Sequence, residues 1–199
     1  MFLNNRSSSG AQARGGIAGR ARASQRAMIA PFRGATPVID PSAYVMESAV
    51  VIGDVVIGAE TSVWFHAVVR GDVNAIRIGR RTNVQDTVTI HVFTARAPTN
   101  VGDDVTIGHG AIVHGCTIGD RTLIGMGAIL LDGVEVGSEC LVAAGALLTP
   151  GTRVAPGQLV VGSPGKAVRT LNDAERTSIV TQAANYARVA GEYRAAGLR

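Results

Sequence analysis

The sequence predicts an all-β fold, a parallel β-helix shaped as a triangular prism, followed by one C-terminal α-helix. Two observations predict the prism: a small aliphatic residue recurs every six positions over most of the chain, and glycine often follows it. Each hexapeptide forms a short strand and a corner, so three of them complete one coil of about 18 residues. Aromatic residues make up only 4% of the chain, whereas 25 of its 199 residues are glycine. This composition agrees with a core of stacked aliphatic side chains.

The aliphatic residue of each hexapeptide, here called the anchor, is expected to point into the prism. Three steps depart from six residues: a step of nine after Val69, of eleven after Ile90 and of five after Val113. We therefore expect a bulge of about three residues at the first and an insertion of about five within residues 93–100 at the second, both forming loops. The anchors are Val45, Val51, Ile57, Val63, Val69, Ile78, Val84, Ile90, Val101, Ile107, Val113, Ile118, Ile124, Leu130, Val136, Val142, Leu148, Val154 and Val160.

The segments that flank the ladder predict the remaining elements. Residues 28–44 contain three prolines and are expected to form an extended lead-in, and residues 162–165 form a turn that ends the ladder. Asn172, followed three residues later by Glu175, marks the start of an amphipathic helix over about residues 173–196 that should pack on the prism. The predicted organisation is an extension over 1–27, a β-helix domain with its lead-in over 28–169, and the C-terminal helix over 170–199.

The formal net charge of +4 comes from the first 27 residues, which contain five arginines and no acidic residue. The rest of the chain carries 14 basic and 15 acidic residues, so it offers no basic face for nucleic acid. Residues 1–27 are expected to be a disordered extension or, by their composition, a mitochondrial targeting segment. The predicted location is cytoplasmic, with a mitochondrial location as the alternative. No apolar run approaches the ~18 residues that a membrane span requires.

The two cysteines, Cys116 and Cys140, lie on ladder segments 24 residues apart. We interpret them as small buried thiols of the core. Because this pattern does not suggest a disulfide framework, the default environment is a reducing compartment.

Two histidines are expected to stack on one corner of the prism. His91 directly follows the anchor Ile90, and His114 directly follows the anchor Val113. The anchors between them make three steps, which is one full coil, so the two imidazoles should lie in adjacent coils. By the same count, Arg70 lies one coil earlier in this column.

His109 lies two positions after its anchor and therefore belongs to the neighbouring face. It cannot easily join the other two histidines within one chain, but it could meet them across a subunit interface if prisms pack side by side. Three imidazoles that leave a fourth position open form the arrangement of a catalytic zinc site, and a trimer would supply three equal interfaces. Iron(II) or cobalt(II) could occupy the same three nitrogens. The alternative is that these histidines are ordinary surface or core residues, which is how we interpret His66.

Short motifs accompany the histidines in a fixed order along the chain. They are Arg70-Gly71-Asp72-Val73-Asn74, Asn83-Val84-Gln85-Asp86, His91, Gly108-His109, His114-Gly115-Cys116 and Asn185-Tyr186. Taken together, they resemble the gamma-class carbonic anhydrase family over about residues 28–195. The resemblance implies a left-handed β-helix and a homotrimer with zinc at each interface. It also implies reversible hydration of carbon dioxide to bicarbonate by metal-bound hydroxide, with two ligands from one subunit and one from the next.

The same resemblance implies roles for six further residues. Two amide side chains would orient the bound water or bicarbonate, a tyrosine would reach toward the pocket, and an ion-paired group would hold the interface. The amides are Gln85 and Asn74, and the tyrosine is Tyr186. The ion-paired group consists of Arg70, Asp72 and Asp86. The alternative for the last group is a purely structural salt bridge.

The sequence departs from the family at the acids that carry protons to solvent. Fully active archaeal members have a glutamate directly after the residue that matches Asp72, where this chain has Val73. The segment 93–99, which follows the first histidine, also contains no acid. We therefore expect metal binding with low turnover.

Two other functions stay open. The first is a non-catalytic metal-binding trimer that serves as a structural or assembly subunit, which the missing acids favour. The second is a hexapeptide acyltransferase, because residues 162–169 resemble the ending of transferases that use acetyl-CoA, and a thioesterase acting through the same metal site is a related alternative. Those transferases normally rely on one histidine as general base.

Overall fold

The computed structural model describes residues 27–94 and 97–198, which form a left-handed parallel β-helix and one C-terminal helix. The predicted fold class is confirmed. Residues 1–26, which make up nearly all of the predicted extension, lie outside the described residues. The strands are β1 (Met28–Ala30), β2 (Val38–Ile39), β3 (Tyr44–Val45), β4 (Val50–Ile57), β5 (Ser62–Val63), β6 (Val68–Ile78), β7 (Asn83–Val84), β8 (Thr89–His91), β9 (Thr99–Val101), β10 (Thr106–Ile107), β11 (Ile112–His114), β12 (Thr117–Ile118), β13 (Leu123–Ile124), β14 (Ile129–Leu130), β15 (Glu135–Val136), β16 (Leu141–Val142), β17 (Leu147–Leu148), β18 (Arg153–Val154), β19 (Gln158–Gly162) and β20 (Gly165–Thr170), and the helix is α1 (Asp173–Ala195).

The strands cover the three faces of the prism. The first face runs β6-β8-β11-β14-β17 and the second runs β6-β9-β12-β15-β18. These two faces form one sheet, because the long strands β4 and β6 bend from one face to the next. The third face is a separate sheet in the order β3-β5-β7-β10-β13-β16-β19-β20. All pairs along the prism are parallel except β19 with β20.

The anchors fill the interior of the prism as the six-residue ladder predicts. Every anchor from Val51 to Val160 is buried. Val45 is only partly buried because it lies in the first coil, which has a neighbour on one side only. Each buried Val or Ile side chain contributes about 1.5–3 kcal/mol relative to its exposed state, so the stacked anchors are the main source of stability.

The first predicted break forms the expected bulge but not the expected loop, because Val68–Ile78 is one continuous strand. The nine-residue step after Val69 falls within β6, whose pairing with β4 shifts in register between Gly53 and Val55. The longer insertion begins at Phe93, which forms an antiparallel bridge with Ala97. Residues 95 and 96 at its tip lie outside the described ranges.

Both ends of the prism contain strands that the sequence did not predict. The lead-in is extended, as expected, but it also pairs with β4 through β1 and β2. At the other end, the turn at residues 162–165 does not simply lead out of the ladder. It closes a hairpin in which β20 returns antiparallel along β19.

The helix begins and ends close to where the sequence predicts. Asn172 caps it by accepting the N–H of Glu175, while the Glu175 carboxylate accepts the N–H of Asn172, which completes a capping box. Ile179, Ala183 and Ala190 are the buried positions of α1. Among the described residues, no helix combines the length and apolar character needed to cross a bilayer.

Two arginines show how α1 lies along the third face. Arg176, in the first turns of α1, donates to Glu139 Oε2 at 2.6 Å, beside the late coils. Arg194, near its end, donates to the carbonyl of Ser42 at 2.9 Å, in the first coil. The helix therefore runs back along the prism, from its last coils to its first.

One corner carries a column of buried hydroxyl groups that link the coils. The Thr82 hydroxyl donates to the Gly102 carbonyl at 2.8 Å and accepts the N–H of Val105 at 3.1 Å. Thr61 and Thr122 make equivalent bonds one coil before and two coils after. These side chains are almost fully buried, so each bond stabilises the vertical register of neighbouring coils.

We expect Thr82→Val to destabilise the protein by about 1–3 kcal/mol, because it leaves the Val105 N–H and the Gly102 carbonyl without this partner in a buried place. The free energy of unfolding in urea measures the effect. The matched control is Thr117→Val, on an exposed strand position, which should change stability by less than about 0.5 kcal/mol. Equal effects of the two substitutions would contradict the role of the buried column.

The capping box predicts a pH dependence of stability. The hydrogen bonds from Arg169 and from the Asn172 N–H lower the pKa of the Glu175 carboxyl from 4.5 to about 2. Its contribution is therefore complete above the ordinary pKa and is lost as the pH falls toward 2. The thermal midpoint of Glu175→Gln should lie below that of the wild type at neutral pH, and the gap should close between pH 4.5 and about 2. A gap independent of pH would contradict this.

Candidate metal centre

The first face brings His91 and His114 together as the ladder predicts. β8 and β11 are adjacent parallel strands, and their register pairs His91 with His114. Nδ1 of His91 lies 3.1 Å from Nε2 of His114. Arg70 follows Val69, which pairs with Ile90, so it lies one coil earlier in the same column.

A carboxylate contacts the outer nitrogen of His91. Nε2 of His91 lies 2.8 Å from Asp72 Oδ1, and the other Asp72 oxygen accepts a hydrogen bond from Arg70. Burial alone would raise the pKa of the Asp72 carboxyl, but its bonds from His91 and Arg70 outweigh this and lower it. The ionised carboxylate accepts hydrogen bonds only, so the His91 proton is assigned to Nε2 and Nδ1 carries a lone pair.

A second carboxylate contacts His114 from the following coil. Nδ1 of His114 lies 2.5 Å from Asp132 Oδ1, which assigns the His114 proton to Nδ1 and a lone pair to Nε2. Asp132 was not among the residues predicted from the sequence. Its position 18 residues after His114, one coil further along, was the signal that could have found it.

The two facing nitrogens suit a shared metal ion. In the neutral tautomers that the two carboxylates favour, both nitrogens carry lone pairs and neither donates to the other, so a cation between them would remove their repulsion. Two nitrogens bound to one tetrahedral zinc at about 2.0–2.1 Å lie about 3.3 Å apart, close to the 3.1 Å separation in the structure. His91 and His114 therefore fit two positions of a zinc site.

His109 lies on the third face, away from this pair. It follows β10, which belongs to the sheet that does not contain β8 or β11. Its Nδ1 lies 2.9 Å from Asp86 Oδ2, and its side chain is 45% exposed. This contact leaves Nε2 of His109 directed away from Asp86. Within residues 27–94 and 97–198 of one chain, no three His, Cys, Asp or Glu side chains come close enough to hold a metal ion.

A buried polar chain holds the backbone of His109. The His109 N–H donates to Gln85 Oε1 at 3.2 Å, and Gln85 Nε2 donates to Asn83 Oδ1 at 3.1 Å. Asn83 in turn donates to the Thr106 hydroxyl at 2.9 Å. Gln85 and Asn83 are both buried. Because each amide fixes the next, Gln85 presents its oxygen toward His109.

The two predicted amide residues therefore occupy different surroundings. Gln85 lies beside His109, whereas Asn74 donates to the Phe93 carbonyl at 3.2 Å and accepts the Ala75 N–H. Asn83, which was part of a quoted motif but had no predicted role, is the amide that contacts Gln85. Its place two residues before Gln85 on the same strand side was the available signal, since alternate residues share a face.

Tyr186 of α1 lies against the third face. Together with Gln85 and His109 it lines a cleft of about 320 Å³ between α1 and the sheet. Its ring packs edge-on against Trp64 at a centroid distance of 5.5 Å. Burial, and to a lesser extent the negative charge of Asp86, raise the pKa of the Tyr186 phenol.

The three residues of the expected interface group are divided within the chain. Arg70 pairs with Asp72 on the column of His91, whereas Asp86 pairs with His109 on the third face. A pairing of Arg70 with Asp86 between subunits stays a prediction.

The two thiols are buried, as predicted. Both Cys116 and Cys140 are free cysteines. Burial raises the pKa of the Cys116 thiol to about 12 and also raises the pKa of Cys140. Although Cys116 lies two residues from His114, it is a core residue.

Comparison with known proteins connects this geometry to a family. A family profile described as "Bacterial transferase hexapeptide (six repeats)" matches residues 98–130 and 115–150. Gamma carbonic anhydrase 2, mitochondrial, of Arabidopsis thaliana is 45% identical over 160 residues, which are 78% of this chain and 58% of that relative. The carbonic anhydrase of Geobacillus kaustophilus (strain HTA426) is 40% identical over 146 residues, 73% of this chain and 80% of the relative. The chain belongs to the gamma-class carbonic anhydrase family.

Membership in the gamma-class family implies a metal cofactor in general, and proteins of the hexapeptide β-helix type are typically trimeric. The chain spans 58% of the length of the Arabidopsis relatives. Among solved structures, a Bacillus cereus protein assigned provisionally as an acetyltransferase is 39% identical with a TM-score of 0.84, covering 85% of this chain and 98% of its own. The gamma-class prism is thus shared with proteins named as transferases.

The burial of the thiols predicts their reactivity. In the folded protein at pH 8, neither Cys116 nor Cys140 should react with a disulfide reagent on a scale of minutes, because the reactive thiolate is almost absent. In guanidinium chloride, two thiols per chain should react. The absorbance of the released thiolate measures both, and rapid native-state reaction would contradict the burial of these residues.

Proposed function

We propose that the protein is a zinc-dependent carbonic anhydrase that hydrates carbon dioxide reversibly to bicarbonate at the three interfaces of a homotrimer. His91 and His114 of one subunit and His109 of the next would hold each zinc ion. The observation that carries this proposal is the 3.1 Å distance between Nδ1 of His91 and Nε2 of His114, with each ring held by its own carboxylate. The third ligand has to come from elsewhere, and His109 has the exposed, carboxylate-bound imidazole that suits it.

When bound, zinc activates a water molecule at neutral pH for attack on carbon dioxide. The protein residues orient the reactants around it. Gln85, held by Asn83, places an amide beside His109, and Tyr186 closes the cleft on the side of α1. Asn74, on β6, would be the second amide that orients the bound water or bicarbonate. Iron(II) or cobalt(II) would suit the same nitrogen ligands.

The interface would be held by the ion-paired residues on each side. Arg70 and Asp72 lie in the column of His91, and Asp86 lies beside His109. Contact between the two faces would bring Arg70 of one subunit near Asp86 of the next. Arg70 would then face one carboxylate from each subunit, Asp72 of its own chain and Asp86 of the neighbouring one.

Turnover is expected to be low because Val73 occupies the place of a proton-carrying acid. This supports, as the second candidate, a metal-binding trimer that acts as a structural or assembly subunit. The third candidate is an acyltransferase or thioesterase, which the name of the Bacillus cereus structure favours. The carboxylate held against each histidine suits metal ligands better than a single general base.

We propose a cytoplasmic location, with the mitochondrial one as the alternative that the names of the Arabidopsis relatives favour.

The test is metal content together with carbon dioxide hydration for four proteins. Wild type should contain one zinc per chain and hydrate carbon dioxide faster than buffer. His114→Ala and His109→Ala should each lose the metal and the activity while the trimer mass persists. His66→Ala, an exposed histidine in a turn, is the matched control and should keep both.

Stopped-flow indicator traces and elemental analysis give the two readings. Zinc with no hydration above buffer would support the structural subunit instead. Retention of zinc by His109→Ala would contradict an interfacial site. Acetyl-CoA binding without zinc would support the transferase.

A further inference from the structure

We propose that Asp132 is a positioning residue that fixes the tautomer of His114, so that Nε2 of His114 is presented as a metal ligand. The inference rests on the metal site proposed above. It concerns a carboxylate in the coil after the histidines, on the side opposite to Asp72.

The contact between Asp132 and His114 is direct and short. Asp132 Oδ1 lies 2.5 Å from Nδ1 of His114, and its side chain is 38% exposed against 28% for the histidine. An ionised carboxylate only accepts hydrogen bonds. The proton of the neutral imidazole is therefore drawn to Nδ1, and the metal-binding lone pair stays on Nε2.

The backbone around Asp132 is built to make this approach. The Gly133 N–H donates to the Gly115 carbonyl at 2.7 Å, and the Gly151 N–H donates to the Asp132 carbonyl at 2.9 Å. These bonds tie Asp132 between the coil of His114 and the following coil.

Gly115 supplies the space that the carboxylate needs. A Cβ at this position would lie 2.6 Å from Asp132 Oδ1 and 3.0 Å from the Ala97 side chain, and its φ of +54° favours glycine. A side chain here would displace the carboxylate from His114. Glycine directly after His114 therefore belongs to the same arrangement.

With Asp132, each of the two stacked histidines has a carboxylate at the nitrogen that faces away from the other histidine. Asp72 holds the outer nitrogen of His91, and Asp132 holds the outer nitrogen of His114. Without Asp132, the Nδ1–H tautomer of His114 has no partner, and the proton is free to move to Nε2. A protonated Nε2 cannot bind a cation, so the pair would lose one ligand in a fraction of the molecules.

The experiment compares Asp132→Asn with the wild type in the full-length trimer. The amide has the same shape but can present its NH₂ group to Nδ1, which selects the wrong tautomer. The apparent zinc affinity, measured by competition with a chelator of known affinity, should fall by about 10–100-fold. The trimer mass, measured by light scattering, should not change. Asp103→Asn is the matched control, because Asp103 pairs with Arg80 in another corner, and its zinc affinity should equal that of the wild type.

Wild-type zinc affinity in Asp132→Asn would overturn the inference while leaving the proposed metal site intact. Failure of the wild type to bind zinc would overturn both. A second measurement needs no variant at Asp132. Long-range proton–nitrogen correlation spectra of the zinc-free, ¹⁵N-histidine-labelled wild type, assigned with His114→Ala, should show the proton of His114 on Nδ1. A proton on Nε2 would overturn the proposal, even if Asp132→Asn fails to assemble.

Discussion

Vertical stacking of one aliphatic anchor per hexapeptide is the constraint on which the rest of the structure depends. Each anchor is covered by the equivalent anchor of the coil before and the coil after, so a slip of one residue would bring polar side chains into the core. The register is therefore fixed by burial. Every side chain next to an anchor inherits that precision, and this is how His91 comes to lie over His114. The hydroxyl column at another corner strengthens the same register by hydrogen bonding.

Electrostatics refine what stacking provides. Stacking alone brings two imidazoles close, but it does not determine which nitrogen carries the proton. Three aspartates do so, one for each histidine: Asp72 for His91, Asp86 for His109 and Asp132 for His114. Among the residues that the structure describes, Asp72 is the one of the three that forms an ion pair with an arginine. If the proposed interface forms, the two half-sites would carry acidic charge toward one position, and a divalent cation would balance that charge.

The sequence predicts the parts of this arrangement that depend on counting. The anchors, the pairing of His91 with His114 and the separate face of His109 all follow from the six-residue repeat. The cap at Asn172 follows from local hydrogen-bonding rules. The contact of Asn83 with Gln85 and that of Asp132 with His114 depend on how side chains turn at corners, and the repeat does not determine those directions. The antiparallel strand β20 follows the turn at residues 162–165. The residues of that turn suit an exit from the ladder equally well, so the sequence did not predict the strand.

That returning strand has a consequence for how copies of the protein can associate. A stack of parallel coils could in principle grow by adding another prism at its end, since each coil presents a template for the next. Here β20 runs opposite to the strands of the third face, and the other two faces end in the two-residue strands β17 and β18. On the third face, an arriving parallel coil would meet a strand of the opposite direction. That strand discourages fibre growth along the axis, and it would leave the flanks of the prism, where the histidines lie, for contact between copies.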